Sequence, residues 1–129
     1  KNLWGDKPWS EGAPGPGVGE WVEMVPTVAK PLAAIVVIPG YFKSAGLFRA
    51  NARPKKILVT LNGQHEFNTY LPDVREPFRI VIRDYVKPVK KIRLTFQEVW
   101  LGEKFEDLCV SGVKLEVKLD KKPKLEPVR

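Results

Sequence analysis

The chain has 129 residues, 22 Lys and Arg against 15 Asp and Glu, a formal net charge of +7, and 43% apolar residues. That length suits one domain with a core of its own, and no apolar run approaches the roughly 20 residues of a membrane-spanning helix. One cysteine, Cys109, excludes an internal disulfide framework and a cysteine-based zinc site; among its apolar neighbours it reads as a small core residue.

Opening at Lys1 rather than Met, the chain reads as a processed product or an excised domain. Residues 9–21 (WSEGAPGPGVGEW) hold four glycines and two prolines between two tryptophans. Glycine admits positive φ and proline removes a donor, so an ordered loop pinned by the two indoles is expected there. A dinucleotide fingerprint fails, because its third glycine would fall on Glu20 or Val22, and there is no GK[ST] for a phosphate loop. Residues 20–25 (EWVEMV) alternate with a period of two and predict a half-buried strand. Residues 33–38 are continuously apolar and β-branched, which predicts a strand covered on both faces.

Residues 41–54 (YFKSAGLFRANARP) show no period and are expected as a long ordered loop with room for one helical turn. Residues 56–61 (KILVTL) then point Ile57, Val59 and Leu61 inward. Asn62-Gly63 signals a type I′ hairpin whose return strand is 66–71. Residues 78–86 form a strand with Phe78, Ile80 and Ile82 on one face, and 92–100 another with Ile92, Leu94 and Phe96 inward. Residues 109–119 close the domain with Val113, Leu115, Val117 and Leu119 on one face. The last ten residues, 120–129 (DKKPKLEPVR), read as a linker or frayed tail, leaving 1–119 as a single domain. Strands with turn signals every 8–12 residues or so predict an all-β, two-sheet β-sandwich of jelly-roll topology.

Catalytic signals are weak. His65 stands alone beside a hairpin turn, with no nucleophile or orienting group in a recognisable pattern. The paired carboxylates Glu20 with Glu23, and Glu103 with Glu106 and Asp107, would need a substrate cleft that a compact sandwich rarely forms. No enzymatic activity is expected. Calcium is the cofactor that acids beside glycine-rich turns could serve, with Asp6, Glu11 and Asp107 the candidate ligands; salt-bridged or solvated acids are the plainer reading.

From 24 to 65 the chain carries six basic residues (Lys30, Lys43, Arg49, Arg53, Lys55 and Lys56) and no acid. No nucleic-acid-binding motif accompanies them, so a solvated basic face is favoured over a nucleic-acid site. The aromatics Trp4, Trp9, Tyr41, Phe42, Tyr70 and Trp100 lie at or near expected strand ends. Rings there could stack on the apolar faces of sugars, although each taken alone is better read as a core or loop anchor.

Four runs carry a family resemblance: WSEGAPGPGVGEW, PGYFKS near position 40, NARPKKI over 51–57, and VWLGEKFEDLCVSGV. Their spacing resembles that of bacterial discoidin-like, NADase-type glycan-binding domains of the galactose-binding-like superfamily, and the resemblance runs over about residues 2–119. The resemblance implies a jelly-roll sandwich attached to secreted, periplasmic or cell-surface proteins, without catalytic activity of its own. Two positions depart from the family pattern: Pro39 stands where an Asn precedes Gly-Tyr, and Gly112 where the closing run has a Glu. The second removes a carboxylate from the last strand.

Two functions are therefore expected to compete. The first is a carbohydrate-binding or adhesion module holding a glycan, in particular an acidic one, through Tyr41, Phe42, Lys43, Arg49, Asn51 and Arg53. These lie on a long irregular segment of the kind that carries function on rigid scaffolds. The second is a structural or protein-interaction domain in which Asn51 and Arg53 satisfy buried loop backbone and the tryptophans clamp the glycine loop.

Overall fold

Side chains that alternate with a period of two must face opposite sides of a strand, and this rule places most of the core. Ile57, Val59 and Leu61 are fully buried, as are Ile92, Leu94 and Phe96. The computed structural model describes Trp9–Ser10 and residues 17–118. The described residues form strands β1 (Trp9–Ser10), β2 (Trp21–Met24), β3 (Leu32–Pro39), β4 (Arg53–Leu61), β5 (His65–Tyr70), β6 (Phe78–Val81), β7 (Ile92–Trp100) and β8 (Cys109–Val117), with one helix, α1 (Ala45–Ala50).

The strands form two four-stranded sheets, ordered β1-β8-β3-β6 and β2-β7-β4-β5. Every strand pair is antiparallel. Only β4 and β5, among the described strands, are consecutive in sequence and neighbours in one sheet; every other connection crosses between sheets. That is the wiring of a jelly roll, as expected. The inner faces meet through Ile35, Val37 and Val113 from one sheet and Ile57, Val59, Leu94 and Phe96 from the other. Each such side chain contributes about 1.5–3 kcal/mol on burial.

β3 lies between β8 and β6, and its Leu32, Ala34, Ile35 and Val37 are buried, but Ala33, Val36 and Ile38 are only half-buried, so the strand is not covered on both faces as its apolar run predicted. At the Asn62-Gly63 turn both residues have positive φ (54° and 65°), as a type I′ turn requires, and the Gln64 N–H donates to the Leu61 carbonyl at 3.0 Å.

Three differences from expectation exceed two residues. Over 41–54 six residues are helical, with Ser44 as N-cap: its Oγ accepts from the Leu47 N–H at 3.1 Å. β4 starts earlier than expected, at Arg53, because Arg53 and Pro54 pair with Trp100 and Val99 of β7. Pro54 is tolerated because the ladder shifts register beside it. The strand expected over 78–86 stops at Val81, since its partner β3 starts at Leu32 and, after Ile82 donates to the Ala33 carbonyl, offers nothing further to pair with. Cys109 is buried, as a small core residue should be. The expected tail and the centre of the glycine-rich loop, 11–16, lie outside the described residues.

Candidate functional site

The segment expected to carry function, 41–54, lies at one end of the sandwich. It meets the β5–β6 loop (71–77) and the β7–β8 loop (101–108) there, and hydrogen bonds fix all three. The β7–β8 loop caps the helix: Glu103 N–H donates to the Arg49 carbonyl, and Lys104 and Phe105 N–H both donate to the Ala50 carbonyl, at 2.8–3.1 Å. Gly102 makes this approach possible, because a Cβ there would lie 2.4 Å from the carbonyl oxygens of Ala50 and Phe105.

Arg53 is the hub of this end. Its Nη1 donates to the carbonyls of Phe48, Arg49 and Asn51 at 3.0–3.1 Å. Its Nε and Nη2 form a fork onto the two carboxylate oxygens of Asp73 at 2.8 and 3.0 Å. The guanidinium also lies 5.0 Å from the Phe48 ring centroid. One side chain thereby joins the helix's last turn, the start of β4 and the β5–β6 loop.

Arg75 makes a second clasp. Its Nε donates to the Phe42 carbonyl at 2.9 Å and its guanidinium covers the Phe42 ring at 5.0 Å. Ser111 makes a third, accepting from the Phe42 N–H at 2.8 Å and donating to the Gly40 carbonyl at 2.7 Å.

The six expected ligand residues therefore divide. Contact with a ligand was expected of Asn51 and Arg53, but both are 7% exposed and turned inward. Asn51 Nδ2 donates to the Leu47 carbonyl at 3.0 Å, and the donors of Arg53 are taken up as described. The physical reason is the helix: its last carbonyls need donors, and these two side chains supply them. Tyr41 and Phe42 are half-buried, and Lys43 and Arg49 are exposed. Beside them lie exposed apolar residues that sequence reasoning had not singled out: Leu101 (67%), Phe105 (52%) and Val74 (44%).

Of the other candidates, Trp100 is half-buried; its indole N–H donates to the Leu71 carbonyl at 3.1 Å, and Lys55 Nζ lies 4.4 Å from the ring centroid. Tyr70 is exposed on the outer face of β5. Trp21 is not turned inward as a loop clamp: it is 45% exposed on the outer face of β2, with Arg93 stacked 4.0 Å from its centroid. Asp107 is exposed, and among the described residues no three His, Cys, Asp or Glu side chains converge as a metal site would require. Asp6, Glu11 and Trp4, with the side chain of Trp9, lie outside the described residues. No described helix is long and apolar enough to cross a membrane.

A jelly roll whose end loops are held rigid by internal side chains, leaving apolar and charged groups outward, defines a loop-presenting sandwich module. The chain belongs to the family of NAD glycohydrolase translocation F5/8 type C domains, whose model matches residues 5–116. In structure it is similar to the NAD+-glycohydrolase translocation domain of Streptococcus pyogenes, determined by NMR. The two share 25% sequence identity over 84% of this chain and 95% of that one, with a TM-score of 0.57. No curated protein matches the chain. The discoidin-like type expected from the motifs is the type found; the family description names translocation where glycan binding was expected.

Proposed function

We propose that this domain is a non-catalytic interaction module of a secreted bacterial protein, and that its α1 end docks a polypeptide partner during translocation. The observation that carries this reading is the surface of that end. Leu101, Phe105 and Val74 are exposed there among charges of both signs: Lys43, Arg49 and Lys104 with Glu103 and Glu106. Apolar anchors inside a mixed-charge rim suit a protein partner better than a polyanion, which would be repelled by the acids. Tyr41, Phe42, Lys43 and Arg49 belong to this surface, while Asn51 and Arg53 hold it in shape from beneath.

The test is transfer of the parent protein into host cells, measured for Phe105→Asp and Leu101→Asp. Both side chains are exposed, so the domain's melting temperature should stay within about 2 °C of the parent while transfer falls about tenfold or more. Normal transfer by both variants would overturn the proposal.

A carbohydrate reading is supported by a separate observation, on the outer face of the β2-β7-β4-β5 sheet. A shallow hollow of about 380 Å³ lies there, lined by Glu23, Thr60, Glu66, Arg93 and Thr95 among others, with exposed Trp21 stacked on Arg93. An aromatic face beside hydroxyl, carboxylate and guanidinium groups is sugar-binding chemistry. Binding on a glycan array that is lost in Trp21→Ala would support it, and an array unaffected by that change would dismiss it.

A further inference from the structure

Among the described strands at sheet edges, β1 has two residues and β2 and β6 four each, whereas β5 has six. β5 pairs with β4 alone, so alternate N–H and C=O groups along its other side point away from the sheet. Such edges are commonly blunted by Lys, Pro or a bulge. β5 (HEFNTY) holds no Lys, Pro or Gly, and its register with β4 runs without a shift.

Both ends of this strand are held. In the turn before it, the Asn62 side chain makes four hydrogen bonds to the β6–β7 connection. Nδ2 donates to the Tyr85 hydroxyl at 2.7 Å and to the Pro88 carbonyl at 3.0 Å; Oδ1 accepts from the N–H groups of Lys90 and Lys91 at 2.7 and 3.2 Å. His65, the first residue of β5, stacks on buried Tyr85 with ring centroids 5.1 Å apart. Just past the strand, the Leu71 N–H donates to the Lys55 carbonyl at 2.8 Å. The free edge is thus fixed before any partner arrives.

Its inner side is unfinished. Ile57, Val59 and Leu61 of β4 are fully buried, but the residues opposite them on β5, Thr69, Phe67 and His65, are only half-buried. A hollow of about 540 Å³ opens between β5 and β6, with Phe67 and Thr69 on one wall and Ile80 and Val81 on the other. Its charged groups are Glu66 and Asp84 with Arg79 and Arg83, so this side has no net formal charge, with His65 neutral, although the chain carries +7. Arg79 is bonded to Glu116 and Glu66 to Thr60, while the side chains of Arg83 and Asp84 enter no ion pair among the described residues. Two copies of a cationic chain can meet along such a side without net local repulsion, the acids of one facing the arginines of the other.

We propose that a second copy of the chain pairs with this edge, β5 against β5 and antiparallel about a two-fold axis, joining two β2-β7-β4-β5 sheets into one. Directly opposed residues share a face, and His65, Phe67 and Thr69 face inward in both copies, so the axis falls on a single residue. At Glu66 it would set like charges opposite each other. At Phe67 it sets ring against ring over the hollow, His65 against Thr69, and Glu66 of each copy against Asn68 of the other. That register covers the half-buried ring and opposes no like charges. A single ladder is small for a stable dimer, so the association is reversible.

The experiment is sedimentation equilibrium of the chain from about 10 µM to about 1 mM at physiological salt, with amide hydrogen exchange at both extremes. The mass should rise from that of one chain toward that of two, and alternate β5 amides should gain protection with it. Asn68→Glu sets a carboxylate opposite Glu66 at two symmetry-related places and should weaken association about tenfold. Adding Glu66→Lys turns both contacts into opposite-charge pairs and should restore association to within about threefold of the parent. Both positions are exposed, so neither change should move the melting temperature by more than about 2 °C. A single-chain mass throughout would overturn the proposal, and β5 protection that then appeared only with an added partner polypeptide would assign the edge to that partner. Association indifferent to Asn68→Glu, or not rescued by Glu66→Lys, would overturn it as well, since another surface or register would be responsible. The readout is mass rather than transfer, so this proposal and the docking role of the α1 end stand or fall separately.

Discussion

Replacing Arg53 by Ala tests whether the α1 end is built as described. The change strips the guanidinium from the carbonyls of Phe48 and Asn51, whose bonds to it are buried. The Arg49 carbonyl keeps a donor in the Glu103 N–H. Each buried carbonyl left without a partner costs about 1–3 kcal/mol. The side chain of Asp73 is 39% exposed and can rehydrate, so the lost ion pair adds less than about 1 kcal/mol. With some lost packing over Phe48, the expected cost is about 4 kcal/mol. For a domain of this size roughly 3 °C accompanies each kcal/mol, which gives a melting temperature about 12 °C lower. Urea unfolding followed by tryptophan fluorescence would measure it. Asp73→Ala should cost about 1.5 kcal/mol, since Arg53 keeps its three carbonyls. A shift under about 3 °C for Arg53→Ala, or equal losses in the two variants, would refute the reasoning and return Arg53 to the list of ligand contacts.

Gly102→Ala should destabilise by about 3 kcal/mol or more in the same assay, because its Cβ would meet backbone oxygens that cannot move without uncapping α1. Asn62→Ala should cost about 2–3 kcal/mol and speed hydrogen exchange at Lys90 and Lys91; Asn62→Gly should recover only the part owed to φ of 54°. Arg79→Ala should cost less than about 1 kcal/mol in urea unfolding, since its ion pair with Glu116 at 2.9 Å is half-exposed on the outer sheet face.

The sheets were legible because strand patterning is local: Ile57, Val59 and Leu61 announce an inner face whatever they pack against. The hairpin was legible for the same reason, since Asn-Gly alone meets the φ demand of its turn. The α1 end was not. A six-residue helix holding Gly46 has no period to detect, and its one readable signal, Ser44 as N-cap, is common in loops. Arg53 and Asn51 were left open between ligand contact and support of buried loop backbone, because nothing local shows that Asp73, twenty positions on, waits for a guanidinium. Leu101 and Phe105 carry no local signal of their exposure, which the packing of distant loops decides. The role of Asn62 was half legible: its place in the turn could be read, but its four bonds to a loop more than twenty residues away could not.

The order in which strands fill the two sheets also sets how the domain yields to tension. Pulled from its N-terminal side, the described strands peel in the order β1, two residues at the edge of one sheet, and then β2, four residues at the edge of the other. Only afterwards does the force meet β3, eight residues long and flanked on both sides. Pulled from its C-terminal side, the first of the described strands met is β8, nine residues long and flanked by β1 and β3. Edge strands unzip one hydrogen bond at a time, whereas a flanked strand must break two ladders together. A passage too narrow for a folded sandwich would therefore admit this domain far more readily with its N-terminal strands leading.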